Sequence, residues 1–224
     1  MKSVLYFDKC SPPVRSCLML IKHLNIDIEL KQIFLFKGEQ LKSSFKEINP
    51  AHTVPTLIDD DLTLTDSHAI LIHFCEKYQK NDTKLWPKEY NERMRVLNLM
   101  LFEVSTLFRR DSNFLSEIVH KTLANVDIAY HKSKILEVYD MLEKYLGRQK
   151  FIATEYLTIA DFSVVTTFST ANIMFPINEI QWPLLYKWFE NMKGLPEYEI
   201  NCEGLEELRK SMELFGKFKF PIEQ

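Results

Sequence analysis

Val4-Leu5-Tyr6-Phe7-Asp8-Lys9-Cys10-Ser11-Pro12-Pro13-Val14 decides how this chain begins to fold. Four apolar residues make a short buried strand, and the segment from Asp8 to Ser11 ends it. Pro12 and Pro13 suit the first turn of a helix, where a missing N–H would be unpaired anyway. Val14, Cys17, Leu18, Ile21 and Leu24 then recur at helical spacing. Ser11 therefore stands at or near a helix N-cap, its hydroxyl at the positive end of the helix dipole.

Working outward, Ile28 to Phe34 reads as a second strand and Val54 to Ile58 as a third. Asp59-Asp60-Asp61 turns the third into Leu62-Thr63-Leu64. A weak helix is expected over Leu41–Ile48, and a firmer one from Ala69 to near Tyr78. This order predicts a small α/β domain with a mixed sheet over residues 1–80. Residues 81–87, closed by Trp86-Pro87, read as a polar linker. From Lys88 to residue 224 the period is helical, with breaks near Gly147, Pro176, Pro183 and Pro196, so the second domain is all-α. Within it, Thr158 and Asp161 have the spacing of a capping box. Leu157 and Phe162 stand where a hydrophobic staple would form.

Composition narrows the function. The chain has 224 residues, 46% apolar and 26% charged, with a net charge of −3. Only 5 glycines occur, where average usage predicts about 16. None falls in a G-x-G-x-x-G or Walker pattern, which argues against glycine-cradled nucleotide binding. No Lys/Arg cluster could track a nucleic acid backbone. No apolar run approaches the ~20 residues of a membrane span, and the start from Met1 to Asp8 carries a charge too early for a secretory apolar core. Cys10, Cys17, Cys75 and Cys202 form no C-x-x-C, so neither zinc nor a disulfide framework is expected. The expectation is a cytoplasmic protein with reduced thiols.

Several features could carry chemistry, each beside a plainer reading. Ser11 is either a simple cap or a donor to an anion such as a thiolate, which a helix N-terminus favours. Cys10 is a rival nucleophile or a passive neighbour. Asp66-Ser67-His68 marks another helix start, with Ser67 as the cap. It holds either local caps or a headgroup site, Ser67 taking a carboxylate and Asp66 an ammonium. Phe108, Asp111, Ser112, Leu115, Ser116 and Val119 share one helical face. Its Asp111 serves an ion pair, with Arg109, Arg110 or another arginine, or else a ligand cavity. Leu205, Leu208, Met212 and Phe215 form a further stripe, core or pocket wall.

Taken together, strand-Ser-Pro-Pro-helix, Asn49-Pro50-Ala51-His52-Thr53-Val54-Pro55-Thr56-Leu57, Asp66-Ser67-His68-Ala69-Ile70 and Leu157-Thr158-Ile159-Ala160-Asp161 resemble the cytosolic glutathione S-transferases. The Ser-Pro-Pro and N-P-x-H-T-V-P-T-L forms are similar to the insect delta and epsilon classes. Ser11–Ile21, Leu35–Gln40 and Leu107–Ser112 resemble epsilon-type members associated with ecdysteroid production. The likeness spans essentially the whole chain. It implies a thioredoxin-like α/β domain ahead of an all-α helical bundle, glutathione as co-substrate, no metal, and a homodimer.

Site roles follow from that resemblance residue by residue. Ser11 would donate to the glutathione sulfur and stabilise its thiolate. Val54-Pro55 matches the cis-proline loop that pairs with the cysteinyl part, His52 the glycyl end, and Asp66 with Ser67 the γ-glutamyl site. Pro13, Gln40, Thr53 and His68 complete the expected glutathione set. Gln40 departs from the His common in delta-class members, so a contact to the glycyl carboxylate is weakened or replaced. Leu35, Phe36, Phe108, Ser112, Leu115, Ser116, Val119, Thr170, Leu208 and Met212 match the lining of the second-substrate pocket. Asp111 matches an acidic residue associated with steroid binding. The implied function is a transferase for a steroid or sterol acceptor. A non-catalytic steroid carrier and a Cys10-dependent thiol transferase are the alternatives.

Overall fold

A computed structural model describes residues 3–80, 84–121 and 123–216. Three of the seven expected linker residues, 81–83, and the end of the chain from 217 lie outside them. Strand β1 (Val4–Phe7) leads through Ser11 into helix α1 (Pro12–Leu24), and β2 (Glu29–Gln32) pairs parallel to β1. Strands β3 (Thr56–Asp59) and β4 (Leu62–Leu64) form the hairpin, and β3 runs antiparallel to β1. The sheet order is β2-β1-β3-β4. Strand β2 is an exposed edge and shorter than the sequence predicts, because the chain turns into a 3-10 segment at Leu35–Lys37. The expected helix over Leu41–Ile48 reduces to α2 (Ser43–Lys46), preceded by a second 3-10 turn at Glu39–Leu41. Helix α3 (Ser67–Tyr78) closes this domain and packs on α1.

The remaining helices are α4 (Tyr90–Phe102), α5 (Arg109–His120), α6 (Ile128–Leu146), α7 (Ile159–Met174), α8 (Pro183–Lys193) and α9 (Tyr198–Gly216). Gly147 ends α6, and Pro183 opens α8 after the break that follows α7. A π-helical stretch, Glu103–Phe108, joins α4 to α5 in one continuous rod. Helix α7 is buried on nearly every side, as its apolar and small hydroxyl residues all round require. Thr166, Ser169 and Thr170 satisfy their hydroxyls on carbonyls of preceding turns. The capping box forms at its start, where Asp161 accepts from the Thr158 N–H at 2.9 Å and from its hydroxyl at 3.1 Å. The two domains meet where α1 lies on α7 and α9.

Arg15, fully buried on α1, ties that junction together. It donates to Asn201 Oδ1 at 2.8 Å on α9, and to the Thr166 carbonyl at 3.0 Å and the Thr170 hydroxyl on α7. Its other nitrogen donates to the carbonyls of Lys9 and Cys10, each at 3.1 Å. The turn that presents Ser11 is thereby held to the helical domain.

Candidate active site

Ser11 is the N-cap residue of α1, yet its side chain makes no capping bond; the hydroxyl donates instead to the Val54 carbonyl at 3.4 Å. Pro12 and Pro13 contribute no N–H to that end of the helix, where the dipole is positive. The Val54–Pro55 bond is cis. Buried Asn49 builds the loop that carries it, donating to Thr53 O at 3.0 Å and Thr56 Oγ1 at 3.0 Å while accepting from the Ala51 N–H at 2.9 Å. His52, at φ +47°, and Thr53 remain exposed on that loop.

Helix α3 corrects the sequence reading of its cap. Asp66, not Ser67, is the N-cap, accepting from the N–H groups of His68 at 2.9 Å and Ala69 at 3.2 Å. Asp is as good a cap as Ser, and Ser67 becomes the first helical residue, buried. His68 Nε2 lies 2.8 Å from Ser163 Oγ and 3.1 Å from Glu103 Oε2, while Thr167 donates to the other Glu103 oxygen at 2.5 Å. The start of α3 is thus bound to the π-helical stretch and to α7.

Beside Ser11 a cavity of about 530 Å³ opens between the domains. Its walls include Leu35, Phe36, Phe108, Ser112, Leu115, Ser116, Val119, Leu208 and Met212, with Gln40 from the expected glutathione set. Gln40 Oε1 is buried there without a hydrogen-bond partner, leaving an acceptor for a ligand donor. Pro12 lines the cavity, whereas Pro13 does not.

Two residues expected in this wall lie elsewhere. Asp111 is fully buried, as are Phe114 and Ile118 three and seven residues further along α5, and it does not line the cavity. Neither Arg109 nor Arg110 pairs with it. Both its carboxylate oxygens are buried and unpartnered. Burial drives its carboxyl well above the usual range, while the Arg15 charge opposes the shift and Glu103 adds to it. Thr170 is spent between Arg15 and the Thr166 carbonyl. Sequence reasoning missed His120, one turn beyond Ser116, and Gly38 and Leu41. Phe215, noted only as core or wall, also lines the cavity and stacks on Phe36 at 5.1 Å.

Cys10 also lines the cavity, but burial and nearby Asp8 push its thiol up to about 12. Such a thiol is protonated at neutral pH and a poor nucleophile. Asp8, Cys10 and Glu207 bring possible metal ligands within 4.8 Å of one another. Both Asp8 oxygens are already engaged, by the N–H groups of Cys10 and Leu35.

Comparison with known proteins bears on the family of the chain. Residues 5–82 match the glutathione S-transferase N-terminal domain and residues 119–196 the C-terminal domain. Glutathione S-transferase D7 of Anopheles gambiae is 31% identical over the full length of both chains. The chain belongs to the glutathione S-transferase family. An epsilon-class transferase from the housefly, Musca domestica, is 36% identical and superposes with a TM-score of 0.90 over 98% of this chain and all of that one. A Drosophila mojavensis transferase homologue with bound glutathione is 31% identical, with a TM-score of 0.91 over 99% of each chain. The transferase is therefore of the insect delta/epsilon type, an enzyme with glutathione as co-substrate. Among the described residues no helix is long and apolar enough to cross a membrane.

Proposed function

We propose that Ser11 activates glutathione by donating to its sulfur, and that the cavity beside it takes a steroid or sterol acceptor. The observation that carries this is the Ser11 hydroxyl itself: unspent on its own helix, at a positive helix end, and opening onto an apolar cavity. A hydrogen bond and a dipole both favour thiolate over thiol. The loop at His52–Pro55, exposed at His52 and Thr53, would with Gln40, Asp66 and Ser67 hold the glycyl, cysteinyl and γ-glutamyl parts. Apolar walls with few polar groups suit a flat hydrophobic ring system.

Asp111 belongs to this reading as a contact reached only when a steroid hydroxyl enters behind the α5 wall, where two unsatisfied oxygens wait. Such a bond is charge-assisted or shares a proton, worth about 1.5–3 kcal/mol. The likeness to the Noppera-bo type of epsilon transferase extends the proposal to ecdysteroid production by a cytoplasmic homodimer. Residues 1–80 would bind glutathione, 81–87 link, and 88–224 form the acceptor pocket.

Ser11→Ala is the test. Turnover of a chlorodinitrobenzene-type electrophile should fall sharply while glutathione still binds; unchanged turnover removes the Ser11 role. Steroid titration with and without glutathione tests the acceptor. Steroid affinity indifferent to glutathione, with no conjugation of any electrophile, would identify a carrier instead. Asp111→Ala should weaken hydroxylated steroids and spare small electrophiles.

A further inference from the structure

A second cleft, of about 380 Å³, lies on the helical domain away from Ser11, between the π-helical stretch with α5 and the start of α6. Ser105, Thr106, Arg109, Asn113, Tyr130 and Lys134 line it, together with Arg110 and His131. Every lining residue is polar or aromatic, four can be cationic, and none is a carboxylate. This concentration occurs in a chain of net charge −3.

The acids nearby sit outside the lining. Glu137 holds Arg110 at 3.1 Å and Lys134 at 2.5 Å, and Glu117 holds His131 at 3.4 Å. These pairs fix the three side chains in place. Arg109 is different: it is exposed, and among the described residues its guanidinium has no ion-pair partner. Ser105 and Thr106 sit on the π-helical stretch, their hydroxyls 3.4 Å apart. Such stretches are uncommon and recur at functional sites. Tyr130, set edge-on to His131, adds a phenolic hydroxyl and a half-exposed ring.

We propose that this cleft binds the oxyanion of a small organic phosphate or sulfate monoester. The Arg109 fork supplies paired donors in the plane that tetrahedral oxyanions accept. Lys134 adds a point charge, and the hydroxyls and Asn113 amide supply further donors. The Tyr130 ring offers a face to the organic part. None of these residues belongs to the cavity beside Ser11, so occupancy leaves that cavity free.

Calorimetric titration of the intact protein, saturated with glutathione, tests this with phenyl phosphate, inorganic phosphate and phenol. Phenyl phosphate should bind once per chain and more tightly than inorganic phosphate, and phenol should not bind. Arg109→Ala should weaken phenyl phosphate about tenfold or more, and Arg109→Lys should restore part of it. Both variants should keep the wild-type melting temperature and turnover, since Arg109 is exposed and outside the active site. No saturable binding, or equal binding by Arg109→Ala, would overturn the site. Equal affinity for inorganic and phenyl phosphate would overturn the ester assignment. Binding seen only without glutathione would overturn it too, by placing the anion at the glutathione site.

Discussion

Gly204 lets the Arg15 side chain lie against α9. A Cβ added at Gly204 would run into Arg15 Cδ and stand 2.5 Å from the Lys9 carbonyl oxygen. The second obstacle is backbone, so the helix or the turn before Ser11 must shift. Gly204→Ala should therefore cost about 1–3 kcal/mol, as overpacking does, despite alanine's better helix propensity. Thermal unfolding would show a drop of roughly 2–4 °C per kcal/mol in a chain of this size. A melting temperature at or above wild type would mean the junction yields freely.

Arg15→Lys tests whether the same junction holds the Ser11 turn. Burial lowers the Arg15 pKa to about 10, with the Asp111 charge the main opposing influence. The guanidinium thus stays charged at neutral pH. Lysine keeps the charge but loses the fork, and the carbonyls of Lys9, Cys10 and Thr166 cannot share one ammonium as they share the guanidinium. Orphaned buried acceptors cost about 1–3 kcal/mol each. The expected result is lower kcat with a smaller change in KM for glutathione, because the hydroxyl is displaced while the remaining glutathione contacts persist. Unchanged kcat in a folded Arg15→Lys protein would make Arg15 purely a domain clamp.

The start of the fold was legible because Val4–Phe7 and the Pro12–Leu24 pattern have different periods, and two prolines mark the boundary. The place of Ser11 at the start of α1 followed from the same reading, whereas most of the residues now seen around the cavity were brought together only through the family resemblance. The place of Asp111 followed from neither. Helical spacing alone puts it at the margin between two faces, next to Ser112 on one side and Phe114 on the other. Which side wins depends on the packing of α5 against α6 and α7. The π-helical stretch leaves no sequence mark either, since a widened turn needs no special residue. The part played by Arg15 left no mark in the sequence, because its partners in the helical domain lie 151 to 186 residues away.

Phe215→Ala should discriminate acceptors by size. The Phe36 and Phe215 rings stack at 19° between the Leu35–Lys37 turn and α9. An aromatic pair of this kind is worth about 0.5–1.5 kcal/mol beyond its buried area. Affinity for bulky apolar acceptors should fall roughly two- to tenfold, with turnover of a small electrophile nearly unchanged. Steady-state kinetics on both substrates decides it, and an equal loss on both would place Phe215 in support of Ser11 rather than of the acceptor.

Asp111→Asn should make the protein more stable at neutral pH. Burial raises the Asp111 carboxyl in the folded state above its unfolded value of about 3.9. The native state therefore holds this proton more tightly than the unfolded state. The stability linked to it is complete below about pH 4 and is lost as pH rises through the folded pKa. Wild type thus carries a penalty at pH 7 that a neutral amide avoids, on the order of 1–3 kcal/mol. The gap between variant and wild type should shrink steadily as the pH is lowered. Urea unfolding of both proteins between about pH 4 and pH 8 measures it. If Asp111→Asn is instead less stable at pH 7, the ionised carboxylate is stabilised by the Arg15 charge, and Asp111 is the buried counter-ion of the domain junction.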